Sequence, residues 1–342
     1  MTETSDVVLD VDDLRVWYAG VGGPIQAVDG VSFQLRRGEV LGLVGESGCG
    51  KSTLGRGLLG LMPSGAAMDG RITYRGRNLV ANTAKDWPKV RGAGLGMIFQ
   101  EPMTRLDPLM KIRDHFREAL RAHERMSKRA ADQRALESLR SLGIPPSRYK
   151  NYPHEFSGGM RQRIMIALAL AMRPAFVVAD EPTTALDVLV EAQIIKILGE
   201  IRTTFSPAML LITHNLGIVG RACDRVAVMY AGRIVECGTV DEVFAHPQHP
   251  YTQQLLGATI SLETTELVTI AGAPPDLGDP PTGCRFHPRC PFAMRVCAEQ
   301  APAVSLTPSG RTVECHLLQR SELSAEQSQA LVQEEVAVAD EA

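Results

Sequence analysis

The chain has 342 residues, enough for one large domain with an appendage or for two domains. Its 44% hydrophobic and 22% charged residues are typical of a soluble globular protein. A net charge of -3 and an aromatic content of 5% do not support a nucleic-acid-binding class of protein. The N-terminus lacks the apolar core of a signal peptide, and no segment approaches the ~20 apolar residues that span a bilayer. If the protein works at a membrane, we expect other chains to hold it there.

The first part of the chain predicts β structure. Alternating apolar residues predict an edge strand over residues 7–18 and a second strand over residues 27–35. Tyr18 lies at the end of the first strand, where it can offer an aromatic face to adenine or be an ordinary packed aromatic. Spacing alone leaves both interpretations open.

A glycine-rich loop follows the buried strand predicted over residues 40–44. Its sequence GESGCGKS fits G-x-x-x-x-G-K-[ST], whose backbone N–H groups cradle a phosphate chain at the positive end of the next helix. Lys51 can reach the outer phosphates, and the Ser52 hydroxyl can coordinate Mg²⁺. The alternative is an ordinary strand-to-helix turn. We predict that the nucleotide is bound by Gly45, Glu46, Ser47, Gly48, Cys49, Gly50, Lys51, Ser52 and Thr53. Such a site without an export signal favours the cytoplasm, where structural disulfides are rare.

The middle of the chain predicts a strand followed by helices. An apolar run over residues 95–99 ends at Gln100, whose amide can touch a metal ion or water, or simply belong to a loop. Residues 111–142 alternate charged and apolar positions with a helical period. We interpret them as an inserted helical subdomain.

A second anion-binding pattern lies in the segment FSGGMRQR, residues 156–163. Ser157 is a natural helix N-cap, and Gly158 and Gly159 leave backbone N–H groups free, although an ordinary capped helix has the same pattern. The next apolar strand, residues 175–180, ends in Asp180 and Glu181, where ligands bind in open α/β sheets. Asp180 is placed to hold Mg²⁺, and Glu181 to orient or deprotonate an attacking water.

One more strand end carries a polar residue. The apolar run over residues 209–213 ends at His214, after a helix over residues 190–204 that Asp187 opens. A lone histidine at a strand end is usually structural. Here it is the fourth such position, and this convergence predicts a catalytic site. A hairpin over residues 225–236 closes the core.

The order of these segments resembles the ABC transporter ATPase family. The resemblance covers residues 7–237, with Phe156 in place of leucine and Met160 in place of glutamine in the family signature. It implies that Tyr18 stacks on adenine, that Gln100 is the Q-loop residue, and that Ser157, Gly158 and Gly159 form the signature. It also implies that Asp180 is the Walker B aspartate and Glu181 the catalytic base. Asp187 would belong to the D-loop, and His214 would be the switch histidine.

The resemblance also implies the fold and the assembly. The fold is α/β, a RecA-like P-loop NTPase core with an antiparallel β subdomain and an inserted helical subdomain at about residues 101–172, all within an ATPase domain of residues 1–255. The ligands are ATP and Mg²⁺, with Ser52, Gln100 and Asp180 around the metal. Members work as head-to-tail pairs, in which each ATP lies between one chain's phosphate loop and the other chain's signature.

Three further segments resemble the oligopeptide, dipeptide and nickel importers of this family. They are MIFQEPMTRLDP, in which Arg105 departs from the usual serine, HPQHPYTQQLL, and the cysteine-containing tail. The implied function is ATP hydrolysis that powers uptake of peptides or a similar small solute. The implied partners are a second ATPase, by resemblance a paralogue, two permeases and an extracytoplasmic solute-binding protein, with this chain peripheral on the cytoplasmic face of the membrane. The rivals are a soluble ABC ATPase acting on ribosomes or DNA, and an exporter.

Four cysteines crowd residues 256–320, which we predict to be a small C-terminal appendage, followed by a flexible acidic tail over residues 321–342. They are spaced C-x5-C-x6-C-x17-C, and four thiolates suit a [4Fe–4S] cluster or tetrahedral zinc. The resemblance implies the iron–sulfur cluster, while four reduced thiols without metal remain the alternative. These cysteines are Cys284, Cys290, Cys297 and Cys315.

Overall fold

The computed structural model describes residues 6–83, 85–99, 105–183, 188–258 and 270–321. For residues 188–190, 320 and 321 it describes the backbone alone. The strands are β1 (Val7–Ala19), β2 (Pro24–Arg36), β3 (Val40–Val44), β4 (Ala67–Tyr74), β5 (Arg77–Asn78), β6 (Leu95–Ile98), β7 (Phe176–Asp180), β8 (Ala208–Ile212), β9 (Arg225–Tyr230), β10 (Arg233–Thr239), β11 (Val304–Leu306) and β12 (Thr312–Glu314). The helices are α1 (Lys51–Leu58), α2 (Trp87–Val90), α3 (Ile112–His123), α4 (Lys128–Ser141), α5 (Gly158–Leu170), α6 (Val188–Phe205), α7 (Leu216–Ala222), α8 (Val240–Ala245), α9 (Pro250–Gly257), α10 (Arg295–Glu299) and α11 (His316–Ser321).

The smaller sheet is antiparallel and has the strand order β2-β1-β4-β5. The prediction that residues 7–18 form an edge strand is wrong, because β1 pairs with β2 on one side and with β4 on the other. The alternation that predicted the strand is real, with Leu9, Val11, Leu14 and Val16 buried. Alternation tells which face of a strand is buried, and it carries no information on how many neighbours the strand has.

The larger sheet has the order β11-β12-β10-β9-β3-β8-β7-β6. Strands β9, β3, β8, β7 and β6 run parallel, and β3, β7 and β8 are buried at every residue. Parallel strands covered on both faces consist of continuous apolar residues, which explains why the sequence predicted them well. Because the carboxyl ends of parallel strands share one edge of the sheet, the segments that follow β3, β7 and β8 lie side by side.

The C-terminal part of the chain extends this sheet. Strand β12 pairs antiparallel with β10 of the core, at Glu236 with Val313 and at Cys237 with Thr312, and β11 pairs with β12. The sequence predicted no strands here, because three-residue strands are too short to show a period. The C-terminal region is therefore built onto the core sheet.

The helices predicted between residues 111 and 142 are confirmed as α3 and α4. Their apolar faces, which include Phe116 and Leu139, are buried in one core with α5. Both arms of the Arg117 guanidinium bond to the Asp132 carboxylate at 2.6 Å, which ties α3 to α4. Within the described part of the chain, no helix is both long and apolar enough to cross a bilayer.

Candidate nucleotide-binding site

The loop between β3 and α1 has a shape that depends on glycine. Gly45, Gly48 and Gly50 have φ angles of 150°, 80° and 107°, in the region that side chains disfavour. A Cβ atom on Gly45 would lie 2.1 Å from the Met229 carbonyl oxygen, and one on Gly50 would lie 2.1 Å from that of Ala27. These glycines let the loop wrap tightly in front of α1, as a phosphate cradle requires.

Lys51 closes the loop on itself. Its ammonium group donates hydrogen bonds of 2.8 Å to the carbonyl oxygens of both Gly45 and Glu46, and the residue is 7% exposed. Cys49 is also buried, and desolvation raises the pKa of its thiol. The thiol is therefore protonated and behaves as a small apolar side chain. The strong cation of the loop is Lys51.

Ser52 and Asp180 meet across the space between α1 and β7. The Ser52 hydroxyl donates a hydrogen bond of 3.0 Å to Asp180 Oδ1. Asp180 is 3% exposed, and burial raises its pKa. A hydroxyl and a carboxylate are both oxygen ligands that Mg²⁺ prefers, so the donor set fits the metal that the sequence predicts. Thr53, the residue after Ser52, lies beside Tyr18, whose hydroxyl is 3.0 Å from Thr53 Oγ1.

Glu181 and His214 face each other just beyond the ends of β7 and β8. Nδ1 of His214 lies 3.6 Å from Oε1 of Glu181, with the two side chains 65% and 20% exposed. Glu181 has a φ angle of 45°, which costs a residue other than glycine about 1–3 kcal/mol. Its N–H donates to the Ile212 carbonyl oxygen at 2.9 Å, which holds this turn against β8. Strain of this kind is commonly kept where the position of a side chain matters for function.

The segment with Ser157 and the two glycines begins α5. The Ser157 hydroxyl accepts a hydrogen bond from the Met160 N–H at 3.4 Å, and both Ser157 and Gly158 are exposed. Sequence reasoning missed Gln162, which lies one turn further on and is 1% exposed. Its side-chain amide donates 2.8 Å to the Pro182 carbonyl oxygen, and so it links α5 to the turn that carries Glu181. Gln100 and Asp187, both predicted as site residues, lie outside the residues that the structure describes.

Sequence reasoning also missed two residues that hold Glu46. The Tyr251 hydroxyl accepts a hydrogen bond of 2.9 Å from the Glu46 N–H, and Arg289 donates to both oxygens of its carboxylate at 2.7 and 3.0 Å. Tyr251 belongs to HPQHPYTQQLL, a segment noted for its resemblance and not for chemistry. Nothing in the sequence pattern pairs either residue with the loop.

The four C-terminal cysteines line a single cavity of about 10 Å³, which is about the volume of one water-sized sphere. Burial raises the pKa of Cys284 to about 11 and also raises the pKa values of Cys290 and Cys315. These thiols are therefore protonated at neutral pH while no metal holds them. Over the ranges that the structure describes, no group of three or more His, Cys, Asp or Glu side chains is arranged to hold a metal ion. The iron–sulfur expectation therefore gains no support from this arrangement.

Comparisons with known proteins agree with this geometry. Residues 28–184 match the family model described as ABC transporter, and residues 235–297 match the model of the oligopeptide/dipeptide transporter C-terminal region. The chain is 48% identical over 316 residues to a dipeptide transport ATP-binding protein of Bacillus subtilis, covering 91% of this chain and 94% of the relative. It is 44% identical over 317 residues to an oligopeptide transport ATP-binding protein of Escherichia coli, covering 92% and 94%.

Solved structures lead to the same fold. The chain superposes with a TM-score of 0.61 and 25% identity on the ATP-binding cassette MJ0796, a dimeric structure in a post-hydrolysis state with ADP and phosphate, covering 68% of this chain and 98% of the cassette. It also superposes on the ABC transporter protein cbiO1 of Clostridium perfringens with a TM-score of 0.61 and 30% identity, covering 71% of this chain and 92% of cbiO1. The predicted α/β fold with a P-loop NTPase core is confirmed. The chain belongs to the family of ABC transporter ATPases, in the group that carries the oligopeptide/dipeptide transporter C-terminal region.

Proposed function

We propose that this chain is the ATP-hydrolysing subunit of an importer that takes up dipeptides, oligopeptides or a similar small solute. The cargo is inferred from the names of the relatives, which are dipeptide and oligopeptide transport proteins, and from the matching C-terminal region. The observation that carries the ATPase part is the 3.0 Å bond between Ser52 and Asp180, which brings the phosphate loop and the Walker B strand together.

The proposed roles of the site residues follow from their chemistry. Lys51 would turn from the loop carbonyls to the outer phosphates, and Ser52 and Asp180 would hold Mg²⁺, which would supply charge neutralisation at the phosphates. Glu181 accepts a proton from the attacking water, and His214, next to it, orients the outer phosphate or the water. The 3.6 Å separation of His214 and Glu181 supports this pairing. Gln100 and Asp187 keep the roles that the family resemblance implies, at the metal and at the dimer interface.

The proposed assembly is a head-to-tail pair of ATPase chains. The exposed start of α5, with Ser157 and Gly158, is free to approach a phosphate chain bound to a second subunit. The MJ0796 cassette is described as dimeric, which agrees with such a pairing. ATP bound between the two chains would close the pair, and hydrolysis would open it. We favour a paralogue as the second chain.

The remaining partners are two permeases and an extracytoplasmic solute-binding protein. The permeases would form the pathway through the membrane. This chain would lie on the cytoplasmic face, with residues 1–255 as the ATPase domain, 256–320 as the C-terminal region and 321–342 as an acidic tail. No nucleic acid is expected.

The four-cysteine cavity is proposed to bind a [4Fe–4S] cluster, with zinc or no metal as the alternatives. This proposal rests on the resemblance of the cysteine-containing tail to the importer group, in which Cys284, Cys290, Cys297 and Cys315 would be the ligands; the four residues line one cavity. A cluster needs more room than about 10 Å³ and needs thiolates, so loading would displace protons and widen the cavity. Purification without oxygen, followed by analysis of iron, sulfide and zinc, would decide. Equal iron and sulfide near four per chain supports the cluster, whereas zinc or no metal overturns it.

The transport proposal is tested by gentle affinity purification of the full chain from native membranes. We expect two multi-span permeases, a second ATPase and a solute-binding protein to co-purify, and purified complexes in vesicles to take up peptides only with ATP. Recovery only from the soluble fraction, with ribosomal or DNA-repair proteins, would overturn the transport assignment and leave the ATPase chemistry unaffected.

A further inference from the structure

Glu46, the second residue of the phosphate loop, is held at three points. Lys51 bonds to its carbonyl oxygen at 2.8 Å from within the loop. The other two contacts come from the C-terminal part of the chain. The Tyr251 hydroxyl accepts a hydrogen bond from the Glu46 N–H at 2.9 Å, and the Arg289 guanidinium donates to both Glu46 carboxylate oxygens at 2.7 and 3.0 Å. The loop is thus fastened to residues more than two hundred positions away.

The Arg289 side chain is held in one position by its surroundings. Its side chain is 5% exposed, and its remaining donors bond to the carbonyl oxygens of Ala271 at 2.8 Å and Gly272 at 3.2 Å and to the Tyr230 hydroxyl at 3.3 Å. With every direction of the guanidinium fork occupied, its position is determined by the surrounding chain. Two parallel bonds to one carboxylate add geometric specificity to the charge.

Tyr251 is fixed in a similar way. It is fully buried, and its ring packs against Tyr230 at 4.6 Å and Phe286 at 5.4 Å between centroids. Tyr230, Tyr251 and Phe286 belong to one core cluster that joins the end of β9 to the C-terminal region. The hydroxyl of Tyr251 therefore reaches the loop from a rigid base.

The charge of Glu46 explains why such an anchor is needed. A carboxylate beside a bound triphosphate repels it, and glycine residues restrict the backbone of a loop less than other residues do. We propose that Arg289 and Tyr251 are positioning residues of the nucleotide site: Arg289 neutralises and holds the Glu46 carboxylate beside the phosphate chain, and Tyr251 fixes the Glu46 backbone, so that α9 and the C-terminal region together complete the phosphate loop. This rests on the proposed function only in taking MgATP as the ligand.

The same contacts join the loop to the cysteine cavity. Arg289 directly precedes Cys290, and Phe286, against which Tyr251 packs, lines that cavity together with the four cysteines. The residues that hold Glu46 and the residues that line the cavity therefore share one short segment of the chain. The C-terminal region has a role in ATP binding whatever the cavity holds.

The test is MgATP affinity of the purified full-length chain, measured by calorimetry at low and moderate salt. We expect Arg289→Gln to bind MgATP about 10-fold more weakly, which corresponds to about 1.4 kcal/mol. Adding Glu46→Gln to Arg289→Gln is expected to recover most of the loss, because the uncompensated carboxylate is then gone. Tyr251→Phe, which keeps the ring and removes the acceptor, is expected to weaken binding about 3- to 10-fold.

Arg285→Gln is the matched control. Arg285 lies in the same segment, is 8% exposed and pairs with Asp29 at 2.8 Å, but it bonds to Gln26 and Ala231 and not to the loop. We expect it to lower the thermal midpoint and to leave MgATP affinity unchanged. An equal loss of affinity in Arg285→Gln would overturn the proposal, and so would a double variant that binds no better than Arg289→Gln.

Two further outcomes remain decisive. If Arg289→Gln does not fold, Arg289→Lys and Tyr251→Phe carry the test, and wild-type affinity in both would overturn the proposal. If the wild-type chain binds no MgATP, the proposed function itself fails. If the wild-type chain binds MgATP and the variants bind it equally well, only this inference fails.

Discussion

The hydroxyl of Ser52 and the carboxylate of Asp180, 128 positions apart in the sequence, are joined by a hydrogen bond of 3.0 Å. Ser52 is the second residue of α1, the helix after β3, and Asp180 ends β7, two strands away in the sheet. The bond keeps the carboxylate aimed at the phosphate loop. The Asp180 carboxylate is buried at the place where a metal ion is expected. Burial of this charge lowers the stability of the folded protein.

The substitution Asp180→Asn is predicted to stabilise the nucleotide-free protein while it abolishes turnover. Burial raises the pKa of Asp180 above its unfolded value of 3.8. Between these two pKa values the unfolded chain has lost the proton that the folded protein keeps, so stability falls as pH rises through this window, and the deficit persists at neutral pH. Asparagine removes the charge and still accepts from Ser52.

We expect a thermal midpoint about 2–4 °C higher in EDTA, which corresponds to about 1 kcal/mol, and a loss of ATP hydrolysis of at least about 100-fold. Differential scanning fluorimetry with and without MgATP checks both parts, because the variant should also lose most of the shift that MgATP produces. A lower midpoint in EDTA would show that the carboxylate stabilises the empty site.

The substitution Glu181→Gln is predicted to separate ATP binding from hydrolysis. Glutamine keeps the shape of the side chain and can keep the strained backbone at φ 45°, but it cannot accept the proton of an attacking water. We expect turnover of the assembled complex to fall about 10²- to 10⁴-fold, the usual contribution of a general base, with little change in MgATP affinity.

The measurement is single-turnover hydrolysis together with size-exclusion chromatography in MgATP, in which this variant should accumulate as a closed pair. The Lys51→Ala variant is the control that should show neither MgATP binding nor pairing. Turnover equal to that of the wild type in the assembled complex would remove Glu181 from the role of base.

The predictability of this site from sequence depends on how local each signal is. Strands β3, β7 and β8 were predictable because strands buried on both faces are continuous apolar runs, and the polar residue after each run marks the edge where ligands bind. Lys51, Asp180, Glu181 and His214 could be found in this way. The neighbours of β1 could not be found, because strand pairing is set by partners elsewhere in the chain.

The contacts to Glu46 show the limit most clearly. Tyr251 lies 205 positions from Glu46, and Arg289 lies 243 positions away. No periodicity or spacing relates residues so distant, since their meeting depends on the core around Phe286. Only the fold shows that Tyr251 and Arg289 contact the phosphate loop.

Tyr18 is predicted to contribute through its ring and not through its hydroxyl. The hydroxyl lies 3.0 Å from Thr53 Oγ1, so Tyr18→Phe removes one hydrogen bond and Tyr18→Ala removes the aromatic face as well. Stacking of one base on an aromatic ring contributes about 1–3 kcal/mol, so we expect Tyr18→Ala to weaken ATP binding about 5- to 150-fold. Tyr18→Phe should stay within about 3-fold of the wild type.

Inorganic tripolyphosphate distinguishes stacking from an effect on the loop, because it carries the phosphates without the base. In competition with a fluorescent nucleotide, we expect its affinity to be the same for Tyr18→Ala and the wild type. Equal weakening of ATP and tripolyphosphate would mean that Tyr18 acts by supporting Thr53 and the start of α1.

Arg311 is predicted to be the main electrostatic anchor of the C-terminal region. Its guanidinium bonds to the carboxylate of Glu236, which is fully buried, and to the carbonyl oxygens of Glu242 at 3.2 Å and His246 at 2.7 Å. Glu236 also accepts the N–H groups of Gln248 and His249, each at 3.0 Å. Removing the cation leaves a buried carboxylate with amide partners alone.

We expect Arg311→Met to lower the free energy of unfolding by about 3–5 kcal/mol, because a buried pair that loses one partner leaves an uncompensated charge. Arg295→Met is the matched control: Arg295 pairs with Glu299 at 2.8 Å, but the two side chains are 69% and 53% exposed, so the loss should not exceed about 1 kcal/mol. Urea unfolding measures both variants. Adding Glu236→Gln to Arg311→Met should restore part of the stability, and failure to restore any would mean that Arg311 acts through packing of its aliphatic stem.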